Sequence, residues 1–130
     1  MVKILLVAFS ALLIVGSVTP IQAQSKTMDT TDGLASACRL YVEVASQSVA
    51  PTNTDKFTQA GFCIGYMAGF AHAMSLEKTP EFCLPDTINL SETVKLFLKY
   101  VDEHPQDLLL SAKVTVPRAL QQAYPCKPKQ

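Results

Sequence analysis

No catalytic signature occurs in the 130-residue sequence, and this absence is the first constraint on its function. The sequence has no GxSxG, no HExxH, no phosphate-binding loop and no Ser–His–Asp spacing, so the enzyme classes that these motifs mark lack support. It also has no CxxC pair and only two histidines, which makes a metal site weakly supported. We therefore expect a binding protein without a metal or cofactor. A hydrolase would need a catalytic group that the sequence does not reveal.

The sequence also lacks an excess of charge of either sign. Eleven basic and eleven acidic residues give a formal net charge of +0, and the basic residues form no run. Nothing therefore favours binding to nucleic acid or to an anionic membrane surface. A long apolar run is missing as well, because the apolar stretch at 57–74 is interrupted by Gln59 and His72 and falls short of the roughly 20 residues of a membrane span.

Residues 1–23 have the pattern of a secretory signal peptide. Lys3 provides the positive start, residues 4–15 form an apolar run, and Pro20 precedes a small residue, Ala23, after which a signal peptidase can cut. About a dozen apolar residues are too few to span a bilayer comfortably, although an uncleaved anchor is the alternative. The sequence therefore predicts export and no membrane association after cleavage.

The rest of the chain divides into a leader, one domain and a tail. Residues 24–32 are polar and lack periodic apolar positions, which predicts a flexible leader. Residues 33–126 hold the helical patterns, and their number fits a single small domain that gains from covalent cross-links. Residues 127–130 form a polar tail.

Hydrophobic periodicity predicts an all-α fold, a small domain of four to five helices. The first helix has Thr31 or Asp32 as its candidate N-cap, and the central helix has Thr54. The third helix begins at Asn89, since Glu92 follows at the spacing of a capping box.

Prolines set the later boundaries. His104 precedes Pro105, which disfavours a helical His104 and ends the third helix there. We assign His104 a structural role at this helix end, and Pro105 can open the last helix. Pro117 lies inside the last helix and predicts a kink or a division of it.

The central helix carries an unusual face. Gly61, Gly65 and Gly69 recur every four residues and therefore share one side of a helix. Glycine weakens a helix interior by roughly 0.5–1 kcal/mol relative to alanine, so three of them predict a gain elsewhere. We expect this face to let another helix backbone approach closely, while Tyr66 and its neighbours supply bulk to the core.

Four cysteines in an exported chain predict two disulfides, for which three pairings exist. Cys38 and Cys63 lie almost equally far on either side of the loop near residue 51, and are therefore level in an antiparallel helix hairpin. Cys83 and Cys126 are placed in the same way about the turn near residue 104. The spacing thus favours Cys38–Cys63 and Cys83–Cys126.

Other titratable residues are best explained structurally. His72 lies among apolar residues of the central helix and is expected to be a packed core or boundary residue. Glu77 and Glu81 flank a proline in a loop and are expected to be solvated charges. Arg39 and Glu43 are four residues apart on a helix and are expected to form a surface ion pair.

Several motifs together resemble the Rap/Tai family of periplasmic immunity proteins, which protect bacteria against type VI-secreted peptidoglycan amidases. They cover most of the mature chain in the family's order. The matching segments are Gly33-Leu34 with Cys38, Cys63-Ile64-Gly65-Tyr66 with Gly69, Cys83-Leu84-Pro85, Ile88–Val94, His104-Pro105, Ala112, Ala119-Leu120 and Tyr124-Pro125-Cys126. Pro117 departs from the continuous last helix that is usual in the family.

The resemblance implies a non-enzymatic, all-helical, exported protein that binds and inhibits an amidase toxin, with a homodimer as a further expectation. Gly65, Tyr66, Gly69, Pro85, His104 and Pro105 then belong to motifs that maintain the fold. The candidate toxin contacts lie in two exposed connections, residues 46–54 and 77–81. They are Gln47, Asn53, Glu77, Lys78 and Glu81. The alternative is a periplasmic structural or stress-protective protein that has no toxin partner.

Overall fold

Four α-helices and one 3₁₀ helix form the domain in a computed structural model, which describes residues 28–47, 53–77 and 81–127. The helices are α1 (Thr31–Ser46), α2 (Thr54–Ser75), α3 (Leu90–Glu103), the 3₁₀ helix (Pro105–Asp107) and α4 (Ala112–Ala123). No β-strand occurs within the described ranges, so the predicted all-α class is confirmed. The predicted signal peptide, residues 1–23, lies outside them.

Helices α1 and α2 pack as an antiparallel pair with a covalent link at the middle. Cys38 and Cys63 form the predicted disulfide, with a Cα–Cα distance of 5.0 Å, and both residues are fully buried. Leu34 of α1 and Met67 of α2 are buried in the same core. The spacing argument that placed the two cysteines level with each other is therefore confirmed.

Helix α3 begins where its local sequence predicts. The Asn89 side chain accepts a hydrogen bond of 2.9 Å from the Glu92 backbone N–H, and the Asn89 backbone N–H donates to Glu92 Oε2 over 3.1 Å. This reciprocal capping box satisfies two donors that a helix start otherwise leaves unpaired. Val94 and Phe97 then project fully buried side chains into the core.

The end of α3 is fixed by its last aromatic residue. His104 is the C-cap, its ring Nδ1 lies 2.9 Å from the Tyr100 carbonyl oxygen, and its ring stacks on the Tyr100 ring at 4.2 Å between centroids. The Tyr100 hydroxyl donates to Asp107 Oδ2 over 2.7 Å, and Arg118 Nη1 lies 3.5 Å from the same oxygen. His104 thus lies at the helix end where the sequence placed it, and Pro105 opens the 3₁₀ helix.

The last helix differs from the prediction at its start. It begins at Ala112 rather than at Pro105, and Leu109 in the preceding turn is 89 % exposed. Pro117 lies inside the helix without dividing it, because α4 continues from Ala112 to Ala123. Of the two predicted effects of Pro117, a kink or a division of the helix, the division does not occur. The proline lacks one backbone donor, whereas burial of Val116 on the core side still favours the helix.

The start of α1 is held by the segment before α4. The backbone N–H groups of Thr31 and Asp32 donate to the carbonyl oxygens of Leu110 and Leu108, and Ala112 N–H donates to the Asp29 carbonyl oxygen. The Thr31 hydroxyl is fully buried and donates to the same Leu110 oxygen over 2.9 Å. These distant partners order residues that the local pattern assigned to a flexible leader.

The N-terminal boundary is therefore corrected. Thr30, rather than Thr31 or Asp32, is the N-cap of α1, because its side chain accepts from the Gly33 N–H over 3.1 Å. The folded part of the chain includes residues 29–32, and residues 24–27 lie outside the described ranges.

The second predicted disulfide closes the C-terminal end of the chain. Cys83 and Cys126 are bonded at a Cα–Cα distance of 4.9 Å. Next to them, Phe82 forms an isolated antiparallel bridge with Pro125, and the Cys83 N–H donates to the Tyr124 carbonyl oxygen over 2.9 Å. The predicted pairing is confirmed, and residues 128–130 of the predicted tail lie outside the described ranges.

The predicted ion pair between Arg39 and Glu43 is replaced by two pairs between helices. Arg39 contacts Asp102 of α3 at 2.7 Å, and Glu43 contacts Lys56 of α2 at 2.8 Å. The Lys56 ammonium lowers the pKa of Glu43, chiefly through the hydrogen bond and then through its charge. Arg39 and Glu43 thus each pair with an oppositely charged residue of an adjacent helix rather than with each other one turn away on α1.

Candidate functional site

One side of α2 faces solvent along its whole length, and we call it the outer face of α2. It is defined by Phe57, Gly61, Ile64, Gly65, Gly69 and His72, all of which are exposed. No Asp, Glu, Lys or Arg occurs between Phe57 and the helix end at Ser75, and the next residue, Leu76, is 85 % exposed. The outer face of α2 is thus an uncharged surface about five turns long.

The glycines of this face do not pack against another helix, contrary to the prediction. A Cβ atom added at Gly61, Gly65 or Gly69 would meet nothing within 4 Å. The remaining described helices pack on the opposite side of α2, where Cys63 and Met67 are buried. Each glycine weakens α2 by roughly 0.5–1 kcal/mol relative to alanine, and no contact within the described chain offsets this.

Bulky residues follow the inner edge of α2, as predicted. Tyr66 lies between Phe62 and Phe70, with ring centroids 6.0 and 6.5 Å away, and Phe70 stacks on Phe82 at 6.2 Å. Partial burial raises the pKa of the Tyr66 phenol, and the negative charge of Asp29 adds to this effect. The aromatic row therefore joins α2 to the segment that carries the second disulfide.

A groove runs beside the C-terminal half of the outer face. Its volume is about 450 Å³, and its walls are α2 on one side and the connection to α3 on the other. His72 lies on the helix wall, while Leu84, Pro85 and Ile88 line the opposite wall. A second hollow of about 250 Å³ lies on the other side of Leu84, with Glu77 among its lining residues.

His72 is exposed, which corrects the expectation of a packed residue. It lies one turn beyond Ala68 and Gly69 on the side of α2 that turns away from the core. The apolar sequence around His72 therefore did not indicate burial, because the helix turns His72, Gly69 and Ala73 to solvent.

The first predicted contact region lies at the N-terminal end of α2. Gln47 is exposed, and its amide nitrogen donates to Glu43 Oε1 over 3.3 Å. Asn53, rather than Thr54, is the N-cap of α2, because its side-chain oxygen accepts from the Asp55 N–H over 2.9 Å. Residues 48–52 between them lie outside the described ranges.

The second predicted contact region lies at the other end of the same helix. Glu77 and Glu81 are both exposed, and the Glu77 N–H donates to the Met74 carbonyl oxygen over 3.2 Å. Lys78 lies outside the described ranges. The 22 residues of α2 separate the two regions by about 33 Å. The structure therefore does not bring the predicted contacts together but places the outer face of α2 between them.

Within residues 28–47, 53–77 and 81–127, no group of three or more His, Cys, Asp or Glu side chains is positioned to hold a metal ion. In the same ranges, no helix has the length and apolar character required to cross a membrane. The arrangement offers a surface without Asp, Glu, Lys or Arg that has the exposed carboxylates of Glu77 and Glu81 beyond its C-terminal end, and such a surface is suited to contact with another macromolecule.

The exposed apolar side chains of this surface were not predicted from the sequence. Phe57 is 44 % exposed and Ile64 is 37 % exposed. The sequence did contain one signal, because no Asp, Glu, Lys or Arg occurs from Phe57 to Leu76. Any face that this helix turns to solvent must therefore lack these charged residues.

Comparison with known proteins identifies one family. A family model described as Rap1a immunity proteins matches residues 30–126. These limits nearly coincide with the folded domain, from the N-cap of α1 at Thr30 to the last disulfide cysteine, Cys126. No curated protein and no solved structure matches the chain significantly.

Proposed function

Because the chain belongs to the Rap1a immunity protein family, we propose that it binds a type VI-secreted peptidoglycan amidase in the periplasm and blocks the active site of that toxin. The proposal includes delivery by the N-terminal signal peptide and no catalytic step by the protein itself. The observation that carries it is the family match over residues 30–126.

A cross-linked helical domain suits this role physically. The disulfides Cys38–Cys63 and Cys83–Cys126 join distant parts of the chain, and the start of α1 is tied to the turn before α4. A surface that is already ordered loses little conformational entropy on binding, which favours affinity. The loops at the ends of α2 are therefore presented from fixed anchor points.

The size of a toxin interface bears on which residues take part. A standard interface buries about 800 Å² on each partner, which corresponds to a patch about 30 Å wide. Gln47 and Asn53 lie about 33 Å from Glu77 and Glu81 along α2, so one toxin reaches both loops only if it also covers the helix between them. We propose Gln47, Asn53, Glu77, Lys78 and Glu81 as contacts on this basis.

The test is inhibition of purified amidase effectors by the oxidised mature protein. We expect stoichiometric inhibition of one effector, and its loss in the variant Glu77→Lys/Glu81→Lys. The single variants Glu77→Lys and Glu81→Lys are compared with Glu103→Lys as their control, because Glu103 is exposed on α3, its pair with Lys99 at 3.9 Å is also exposed, and each single change alters the net charge by two. Inhibition that survives the double change would remove the second loop from the interface, whereas no inhibition of any effector would contradict the proposed function.

A structural or stress-protective role is the second candidate, and the exposed apolar side chains of α2 favour it. A protein of this kind covers the apolar surfaces of other proteins and opens further in acid. It predicts strong binding of a hydrophobic dye at about pH 3, together with loss of fixed tertiary packing. An oxidised protein that keeps its near-ultraviolet circular dichroism and binds no dye at that pH would exclude this role.

A further inference from the structure

We propose that the C-terminal disulfide, Cys83–Cys126, is a redox switch: a dithiol reductant opens it and loosens the connection between α2 and α3, while the hairpin disulfide, Cys38–Cys63, keeps the domain folded. The inference deepens the proposed function and rests on it for the toxin, because this connection carries the proposed contact Glu81. It gives the two disulfides different roles, which neither the family match nor the sequence motifs specify.

The two disulfides differ in their exposure to solvent. Cys83 is exposed, Cys126 is half-buried, and Cys83 also lines the hollow of about 250 Å³ beside Leu84. Cys38 and Cys63, in contrast, are both 0 % exposed. Thiol–disulfide exchange needs access of a thiolate to one of the sulfurs, so exposed disulfides are the labile ones. A dithiol therefore reaches the C-terminal disulfide in the folded protein, whereas the hairpin disulfide reacts only after α1 and α2 separate.

The reaction at the C-terminal disulfide is a two-electron exchange with the reductant. One thiolate of the dithiol attacks the sulfur of Cys83, the more exposed partner, and the Cys126 sulfur leaves as a thiolate that takes up a proton. The second thiolate of the reductant then displaces Cys83 from the mixed disulfide, and Cys83 is protonated in turn. The products are two cysteine thiols in this protein and one disulfide in the reductant, so an oxidised dithiol reverses the step.

The C-terminal disulfide fastens the connection between α2 and α3 to the segment that follows α4. Beside it, the Cys83 N–H donates to the Tyr124 carbonyl oxygen over 2.9 Å, and Phe82 forms an isolated bridge with Pro125. So short a pairing of two extended segments is marginally stable without a covalent link. Phe82 itself is buried and stacks on Phe70, so the connection loosens around this anchor rather than leaving the domain.

The loosened connection bears on toxin binding through Glu81, which lies two residues before Cys83. A segment that must be ordered on binding loses affinity, because the partner then has to offset the conformational entropy. The oxidised protein presents this segment already fixed to the end of α4. Reduction is therefore expected to weaken inhibition of the toxin while the helices persist.

The first experiment identifies the cysteines that react when the oxidised mature protein meets dithiothreitol. Free thiols are alkylated at increasing times and located by mass spectrometry. We expect Cys83 and Cys126 to be labelled at least about tenfold faster than Cys38 and Cys63, since the hairpin disulfide has to wait for local opening. Labelling of all four cysteines together, or of the hairpin cysteines first, would overturn the inference.

Hydrogen exchange of the selectively reduced protein tests whether the connection loosens. Amides of residues 83–87 and 124–127 should exchange faster than in the oxidised protein, while those of α1 and α2 keep their protection. Unchanged exchange at residues 83–87 would show that the disulfide does not control this segment, and would overturn the inference even if its bond is reduced selectively.

The second experiment measures inhibition without exposing the toxin to a reductant. Cys83→Ser/Cys126→Ser keeps the connection permanently open, and we expect it to inhibit about tenfold less well than the oxidised wild type. Wild-type protein that is reduced and then reoxidised before the assay is the control and should inhibit fully. Undiminished inhibition by the double variant would overturn the switch. An oxidised wild type that inhibits no effector contradicts the proposed function instead, and labelling and exchange still decide whether reduction loosens the connection.

Discussion

The buried hydroxyl pair of Thr31 and Thr115 provides a sharp test of how the domain is closed. Thr31 Oγ1 lies 2.9 Å from the Leu110 carbonyl oxygen and 2.7 Å from Thr115 Oγ1. The Leu110 oxygen can only accept, so Thr31 uses its single hydroxyl proton there. Thr115 then donates to Thr31. The Thr31 hydroxyl is thus both a donor and an acceptor, whereas the Thr115 hydroxyl is the donor to Thr31.

Because the hydrogen bond runs from Thr115 to Thr31, replacing Thr31 should cost more stability than replacing Thr115. Thr31→Val removes both hydrogen bonds and leaves the Thr115 hydroxyl with only the Ala112 carbonyl oxygen, 3.4 Å away. We expect the free energy of unfolding to fall by about 2 kcal/mol, because a lost bond and a poorly satisfied buried donor each contribute. Thr115→Val leaves the bond from Thr31 to Leu110 intact, so its expected cost is about 1 kcal/mol.

The double variant separates this account from a sum of independent contacts. Thr31→Val/Thr115→Val leaves no hydroxyl without a partner, so it should lose no more stability than Thr31→Val alone. Urea unfolding of the oxidised protein, followed by circular dichroism, measures each difference. Thr58→Val is the control, because the exposed Thr58 hydroxyl bonds only within α2, and it should change stability by less than about 0.5 kcal/mol. A double variant that loses the sum of both single effects would refute the reasoning.

Three further predictions follow from contacts elsewhere in the domain. Replacing Cys83 and Cys126 together by serine should cost about 4 kcal/mol in urea unfolding, because that bridge closes a loop of 43 residues; an unchanged midpoint would contradict this. Asn89→Ala should cost about 1 kcal/mol through loss of the capping box, whereas Asn89→Asp should retain most of the stability in the same thermal melt. Burial, and then the hydrogen bond to Asp107, raise the pKa of Tyr100. The folded state therefore favours the protonated phenol, and the stability that this provides below about pH 10 should be lost as the pH rises further. Alkaline unfolding of Tyr100→Phe should show a smaller loss of stability with pH, and equal slopes in the two proteins would contradict this.

Features with local causes could be predicted from the sequence. The start of α3 follows from Asn89 and Glu92, whose side chains cap a helix through groups only three residues apart. The pairing Cys38–Cys63 follows from the length of one helix hairpin, since an antiparallel pair fixes which positions are level. In both cases the partners are specified by distances along the chain.

Features with distant causes could not be predicted. The leader assignment failed at Thr31 because its partners, Leu110 and Thr115, are separated from it by most of the domain. The ion pair of Arg39 failed for the same reason, since Asp102 lies on another helix. The glycine spacing indicated correctly that Gly65 shares a helix face with Gly61 and Gly69. Periodicity does not specify, however, whether another helix packs against that face.

The hydrogen-bonded seam at the start of α1 also affects the order in which the chain can fold. A polypeptide is synthesised from its N-terminus, and the hairpin of α1 and α2 needs partners only 25 residues apart for its disulfide. Thr31 of α1, in contrast, bonds to Leu110 and Thr115, which follow it by 79 and 84 residues. A ribosome or export channel that releases the chain gradually therefore holds the domain open until almost the last helix has emerged. Products truncated before Leu110 lack the partners of Thr31 and cannot close the seam, so we expect proteases to degrade them faster than the full chain.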